Sequence, residues 1–330
     1  MPQQYAHPET LVETDWVENH MQCPNIRVAE VDYDPKSNYL MGHVPGAVLF
    51  DWKQDINDPI SRNILSKQAC EKLMRKVGVN NDTIMILYGD FNNWFAAFAF
   101  WVFKYYGFKD VRIMNGGRKK WLMEDRPLTK DVPSYSAGNF TASQPDKNIR
   151  VFLDHVKEAM HNADKALVDV RSPKEFTGEI TAPPEYPTEH AQRGGHIPGA
   201  INIPWAQAVN DSDGTFKSAD ELKKLYESKG ITPDKEVIAY CRIGERSSHT
   251  WFVLKYLLGY PNVKNYDGSW TEWGNMIANP IVLILTYINH FTYYRIFDFL
   301  LLLTVLCGCA YIGKAVLLML SSIRYNAVSI

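Results

Sequence analysis

Short apolar runs alternate with amphipathic stretches along the first 280 residues. In the second half, Lys165–Val170 (KALVDV), Ala200–Ile203 and Glu236–Tyr240 (EVIAY) are brief runs dominated by apolar side chains, and Asn262–Tyr266 reads as a short fourth strand. Runs of this length without a strict polar alternation predict strands buried on both faces. Between them, Ala219–Lys229 and Ser247–Leu258 space their apolar residues as helices do. Gly259 follows the second of these, and Gly107 follows Ala96–Tyr106 in the first half, where a helix C-cap is expected. Strands alternating with helices predict an α/β fold with a mostly parallel sheet covered on both faces.

The pattern occurs twice. His43-Val44-Pro45-Gly46-Ala47 recurs as His196-Ile197-Pro198-Gly199-Ala200 at an offset of 153. Ile84–Tyr88 recurs as Glu236–Tyr240, and Asn115-Gly116-Gly117 with Trp121 recurs as Asp267-Gly268-Ser269 with Trp273, both at 152. Val31-Asp32 and Val168-Asp169 are only 137 apart, so the second copy gains about fifteen residues around Thr177–Ala191. So long a period marks a duplicated domain, not a solenoid repeat. Between the copies, residues 127–148 are rich in Pro, Ser, Gly, Asn and Asp and lack an apolar period, as linkers do. The expected organisation is a first domain over 1–128, a linker over 129–147, a second domain over 148–280 and a tail over 281–330.

Composition changes the picture at the C-terminus. The chain has 330 residues and a net charge of −2, but its last fifty residues carry only Arg295, Asp298, Lys314 and Arg324 as charged side chains. The first 280 hold 32 basic and 36 acidic residues. This near-neutral balance is not that of a nucleic-acid binder. Five scattered cysteines are no disulfide scaffold, and the polar N-terminus shows no secretory signal, so a cytoplasmic body is expected. Phe299–Leu320 is 22 residues with one charge, long enough for an apolar helix to span a bilayer, and a C-terminal membrane anchor is expected there.

One loop carries candidate chemistry. The run Glu236–Tyr240 leads directly into Cys241-Arg242-Ile243-Gly244-Glu245-Arg246-Ser247, and then a helix begins. Ligands of open α/β sheets bind at the carboxyl ends of strands. Free amides of a helix N-terminus and two arginines favour a thiolate, which predicts a Cys241 pKa below about 8.5, and also favour an anionic substrate. Gly244 lets the loop curl its amides inward. Cys23 and Cys70 have no such neighbours. His43 and His196, one per copy at a matched turn, read as structural hydrogen-bonding residues. Glu175 and Glu179 read as surface or loop residues, and Trp205, Trp270 and Trp273 as packing.

The duplicated H-[VI]-P-G-A segment, Asp169-Val170-Arg171-Ser172, the CRIGERS loop and Gly268-Ser269-Trp270 with Trp273 together resemble the two-domain rhodaneses, or thiosulfate sulfurtransferases, over about residues 8–280. The resemblance implies two tandem rhodanese-like domains, each a mostly parallel sheet flanked by helices, followed here by the apolar C-terminal helix. It implies a nucleophile and persulfide carrier at Cys241. Substrate-binding residues are implied at Arg171, Arg242, Ile243, Gly244, Glu245, Arg246 and Ser247. Thiosulfate is the implied donor, and cyanide or a thiol the acceptor, with a thioredoxin-like reductant as a further partner. The resemblance implies neither metal nor organic cofactor.

Four residues separate Cys241 from Arg246, one fewer than in the related cysteine phosphatases and arsenate reductases, which are the runner-up reading. Arg242 favours inorganic thiosulfate over 3-mercaptopyruvate, the other alternative. The first copy has Gly89 at the aligned position, followed by Asp90, so it is expected to be catalytically inactive. The aromatic stretch Ala96–Tyr106 is expected to pack against the second domain in preference to lining a substrate channel.

Overall fold

A computed structural model describes residues 4–183 and 190–284. The apolar run Phe299–Leu320 and Cys307 and Cys309 lie outside the described residues, and so does the anchor expected there. Among the described residues no helix is long and apolar enough to cross a membrane.

Each half builds one parallel sheet. The first contains β1 (Leu11–Val12), β2 (Ile26–Asp32), β3 (Val48–Asp51), β4 (Ile84–Tyr88) and β5 (Val111–Met114), in the order β1-β5-β4-β2-β3. The second contains β6 (Lys165–Asp169), β7 (Ile201–Asn202), β8 (Glu236–Tyr240) and β9 (Val263–Tyr266), in the order β7-β6-β8-β9. The registers match across the copies: Glu30 stands opposite Tyr88 and Asp169 opposite Tyr240, so the counterpart of Asp169 is Glu30 and not Asp32, which the sequence repeat pairs with it. In the second half, a single parallel bridge between Arg150 and Asn265 takes the place that β1 holds beside β5 in the first. The strands fall where the apolar runs predict, trimmed by a residue or two at their ends, where pairing stops before hydrophobicity does.

The repeated His-x-Pro-Gly-Ala turns are structural twins. Tyr88 Oη accepts from the Val44 amide at 3.0 Å, and Tyr240 Oη accepts from the Ile197 amide at 3.2 Å. His43 stacks on Tyr39 at 3.7 Å and His196 on Phe176 at 3.6 Å, with Nδ1 of each beside the carbonyl of the same partner. Both histidines therefore lock the turn to the chain before it.

The two halves meet helix on helix. In Trp94–Tyr105 all residues but Lys104 are buried, because one side faces its own sheet and the other faces the second domain. Phe100 packs on Phe252 at 4.9 Å and on Tyr256 at 5.0 Å, and Trp94 on Trp205 at 5.1 Å. This is the interface role expected for the aromatic stretch. The opposing helix, Glu245–Phe252, starts two residues earlier than its spacing suggests and passes into a wider π-helical turn, Val253–Leu257. Gly107 and Gly259 stand at φ +75° and +72° just past these helices, where a side chain would be strained.

Residues 129–148 form no helix or strand, yet they are docked along the first domain. The Gly138, Phe140, Ser143 and Asp146 amides donate to the carbonyls of Arg75, Val79, Tyr106 and Tyr105 at 2.8–3.1 Å, and the buried Phe140 ring stacks on Phe108 at 5.0 Å. The segment is a strap, not a loose tether.

Candidate active site

Cys241 caps the carboxyl end of β8 and is fully buried. Its amide donates to Ser269 Oγ at 3.0 Å and its carbonyl accepts from the Trp270 amide at 3.1 Å, so the Gly-Ser-Trp turn after β9 seats the residue. Ser269 itself sits at φ +52° and anchors its hydroxyl on the Tyr266 carbonyl at 2.7 Å. The loop then curls back over the sulfur. The Gly244 amide donates to Sγ at 3.1 Å, and Ser247 Oγ lies 3.6 Å from it. Gly244 adopts φ +106°, and a Cβ there would lie 2.8 Å from Asp267 Cβ, so only glycine fits without a shift.

Behind the loop, buried Asn265 holds three groups at once. Its side chain accepts from Ser247 Oγ at 2.7 Å and donates to Ser248 Oγ at 2.8 Å and to the Gly244 carbonyl at 3.2 Å. Nothing in its sequence surroundings marks Asn265, although its place on β9 beside β8 is a consequence of the predicted sheet.

Charge is arranged around the sulfur in opposed pairs. The Glu245 carboxylate, buried, stands 3.6 Å from Sγ and 3.9 Å from both Arg242 Nη2 and Arg246 Nε. Arg246 is clamped by Glu175 through two 3.0 Å hydrogen bonds. Glu175 is fully buried and also closes a capping box with Ser172 at the start of helix Pro173–Thr177. The surface reading of Glu175 is thus overturned: its partner lies 71 residues away, out of reach of any local pattern. Burial would raise this carboxyl, but the charge and hydrogen bonds of Arg246 outweigh it and hold Glu175 at about 2. Glu179 is exposed, paired to Lys174 at 3.1 Å.

Two further expectations change. Burial pushes the Cys241 thiol above its ordinary value and Glu245 adds to this, while Arg246 and the bonds from Ser247 oppose them. The sulfur lies too deep for Arg246 to prevail. Arg171 turns its guanidinium to the fold. It is fully buried, donates to Asp169 at 2.6–3.2 Å and to the Gly195 carbonyl at 2.7 Å, and lies 4.4 Å from the Trp270 ring. The first domain meets the same need from the other side: Arg118, at the place of Trp270, donates to the Gly42 carbonyl at 2.7 Å.

Outside the Arg246–Glu175 pair a cavity of about 790 Å³ opens between the domains, walled on the first domain's side by Tyr33, Asp34, Asp90 and Trp94. At the first domain's own strand end, Gly89 has no room for a side chain: a Cβ would lie 2.6 Å from the Val31 carbonyl oxygen. A Cβ on Gly117, the counterpart of Ser269, would collide with the Asn93 side chain.

The sequence profile of the rhodanese-like domain matches residues 13–124 and again residues 152–276. The chain belongs to the rhodanese family. Among related rhodaneses, "Sulfur carrier protein TtuD" of Thermus thermophilus is 59% identical over 280 residues, covering 84% of this chain and 98% of that protein. A protein of Mycolicibacterium smegmatis provisionally named a thiosulfate sulfurtransferase is 54% identical, covering 84% of this chain and 99% of its own. Of solved structures, the anaerobic ergothioneine biosynthesis enzyme from Chlorobium limicola, in complex with its natural substrate trimethyl histidine, aligns with a TM-score of 0.76 at 28% identity. That alignment covers 86% of this chain and 71–72% of the ergothioneine enzyme across its complexes. The names of the Thermus and Mycolicibacterium relatives concern sulfur carriage and sulfur transfer.

Proposed function

We propose that this rhodanese moves the sulfane sulfur of thiosulfate to cyanide or a thiol through a persulfide on Cys241. The observation that carries the reading is the Gly244 amide aimed at Sγ from 3.1 Å: a donor placed for a sulfur anion, on a buried cysteine. The Cys241 thiol gives up its proton to water, and the thiolate attacks the outer sulfur of thiosulfate. An Sγ–S bond forms, the S–S bond of thiosulfate breaks, and sulfite leaves with the bonding pair. Arg242 and Arg246 offset the charge of the dianion. The persulfide anion left behind keeps the Gly244 amide as its donor. Cyanide takes the terminal sulfur as thiocyanate, which returns the thiolate. The first domain, with Gly89 at its strand end, supplies a wall of the cleft and no thiol. Loop length and the two loop arginines favour this reading over phosphate-ester hydrolysis or 3-mercaptopyruvate as donor.

The test is intact-protein mass spectrometry after thiosulfate treatment. A gain of about 32 Da, one sulfur atom, is expected, and cyanide should remove it. Retention of the adduct by Cys241→Ser would overturn the assignment.

A further inference from the structure

The turn over residues 58–63 of the first domain reaches the cysteine loop of the second. Asp58 closes this turn: its carboxylate accepts from the Ile60 and Ser61 amides at 2.9 and 2.8 Å, and its carbonyl accepts from the Arg62 amide at 2.9 Å. Arg62 is thereby held at φ +57°, a left-handed conformation that is costly for an arginine. From there its Nη2 donates to the carbonyl oxygens of Ile243, at 3.3 Å, and Asp267, at 3.4 Å. The next residue is tied across as well. Asn63 Oδ1 accepts from Arg150 Nη2 at 2.8 Å, and Arg150 pairs with the Asp267 carboxylate at 2.7 and 2.9 Å. Asp267 is the residue against which Gly244 packs. Two successive residues of the first domain therefore grip the frame of the loop.

Arg62 grips a particular peptide. Its acceptor is the oxygen of the Ile243–Gly244 unit, and the nitrogen of that unit is the donor to Cys241 Sγ. A trans peptide is planar, with its C=O and N–H pointing in opposite directions, so holding the oxygen aims the hydrogen. A cation on the oxygen also polarises the unit and strengthens its N–H as a donor to an anion.

We propose that Arg62 is a positioning residue for sulfur transfer, acting through the Ile243–Gly244 peptide to present the Gly244 amide to the sulfur of Cys241. The first domain, with Gly89 where the second has Cys241, thus takes part in stabilising the sulfur anion as well as in forming the cleft. The inference rests on Cys241 being the sulfur carrier. The charged groups around the guanidinium are Lys53, Asp58 and Asp267, which share a cavity of about 270 Å³ with it, and Arg150, paired with Asp267; those around the sulfur are Glu245 and Arg246, with Arg242 beside Glu245.

Arg62→Gly is the informative variant, because glycine accepts the left-handed conformation without strain and separates folding from positioning. Its Tm should equal or exceed that of the wild type. Its kcat/KM for thiosulfate, followed by sulfite release, should fall about tenfold, less than the direct loss of an oxyanion donor. The pH midpoint of Cys241 alkylation by iodoacetamide should rise by about one unit, the same tenfold change read at the thiolate. Arg62→Lys should recover part of both, and methylguanidinium should partly rescue Arg62→Gly. The proposal is overturned if both variants keep the wild-type rate and alkylation profile, or if rate falls only in step with Tm while the profile stays in place. Cys241→Ser, run alongside, separates the two claims: an adduct on that variant removes the sulfur-carrier reading, whereas a clean Cys241→Ser beside an unaltered Arg62→Gly removes only this one.

Discussion

Replacing Glu175 with glutamine keeps the shape of the side chain and removes the charge that clamps Arg246. The magnitude follows from the carboxyl's pKa, which lies at about 2 against an ordinary 4.5. At about 1.4 kcal/mol per pH unit, this corresponds to about 3 kcal/mol of stability, counted once for the pair. The residue is fully buried, so solvent screening does not reduce the figure much. The same order is expected for breaking a buried ion pair and stranding Arg246. The sign is that of a depressed acid: the contribution is whole above the unfolded value near 4.5 and disappears as pH falls through about 2. Urea unfolding should therefore show Glu175→Gln about 3 kcal/mol less stable than the wild type at pH 7, with the gap narrowing to about 2 kcal/mol at pH 3.5. Glu179→Gln, which removes an exposed partner of Lys174, should leave both curves unchanged. A gap below about 1 kcal/mol at pH 7, or one that does not narrow in acid, would refute the reasoning.

Three other outcomes follow from the same geometry. Glu245→Gln removes a carboxylate that pushes the thiol up, so Cys241 should alkylate faster at pH 7; an unchanged rate would show that Glu245 does not govern the sulfur. Gly244→Ala puts a methyl group 2.8 Å from Asp267 Cβ at φ +106° and should cost about 2 kcal/mol or more, with loss of the sulfur adduct; a wild-type Tm would contradict this. In the first domain, burial first and then the charges of Glu30 and Asp90 push Asp32 up to about 8, while the Tyr39 amide and Arg118 oppose them. Stability from this neutral acid is whole below about pH 4 and lost as pH rises through about 8, so Asp32→Asn should raise Tm at pH 8.5 and not at pH 4; equal effects at both would count against it.

What could be read from sequence was local or repeated. Strands β6 and β8 are dense apolar runs whose identity does not depend on distant partners. The cysteine loop is contiguous, so Cys241, Gly244, Glu245, Arg246 and Ser247 arrive together once the strand and helix are placed. What escaped depends on chain segments meeting in space. Glu175 reads as a surface or loop residue until Arg246 is brought to it, and Asp169 draws Arg171 into the fold. The direction of the Cys241 pKa turns on depth, which composition does not carry. The docking of the linker along the first domain is not legible in sequence, because its turn-forming residues outnumber the few apolar ones, Phe140 and Ala142 among them, that hold it.

The cramped strand end at Gly89 bears on how the two halves can change over time. A cysteine there would need the Val31 backbone to retreat, and the serine that seats such a cysteine would need Asn93 to vacate the space over Gly117. Each change alone damages the first domain before any new chemistry is gained. A reactive centre at this strand end would therefore require several substitutions at once. Backbone fills the space that a side chain would need, so no single substitution turns the first half into a likeness of the second.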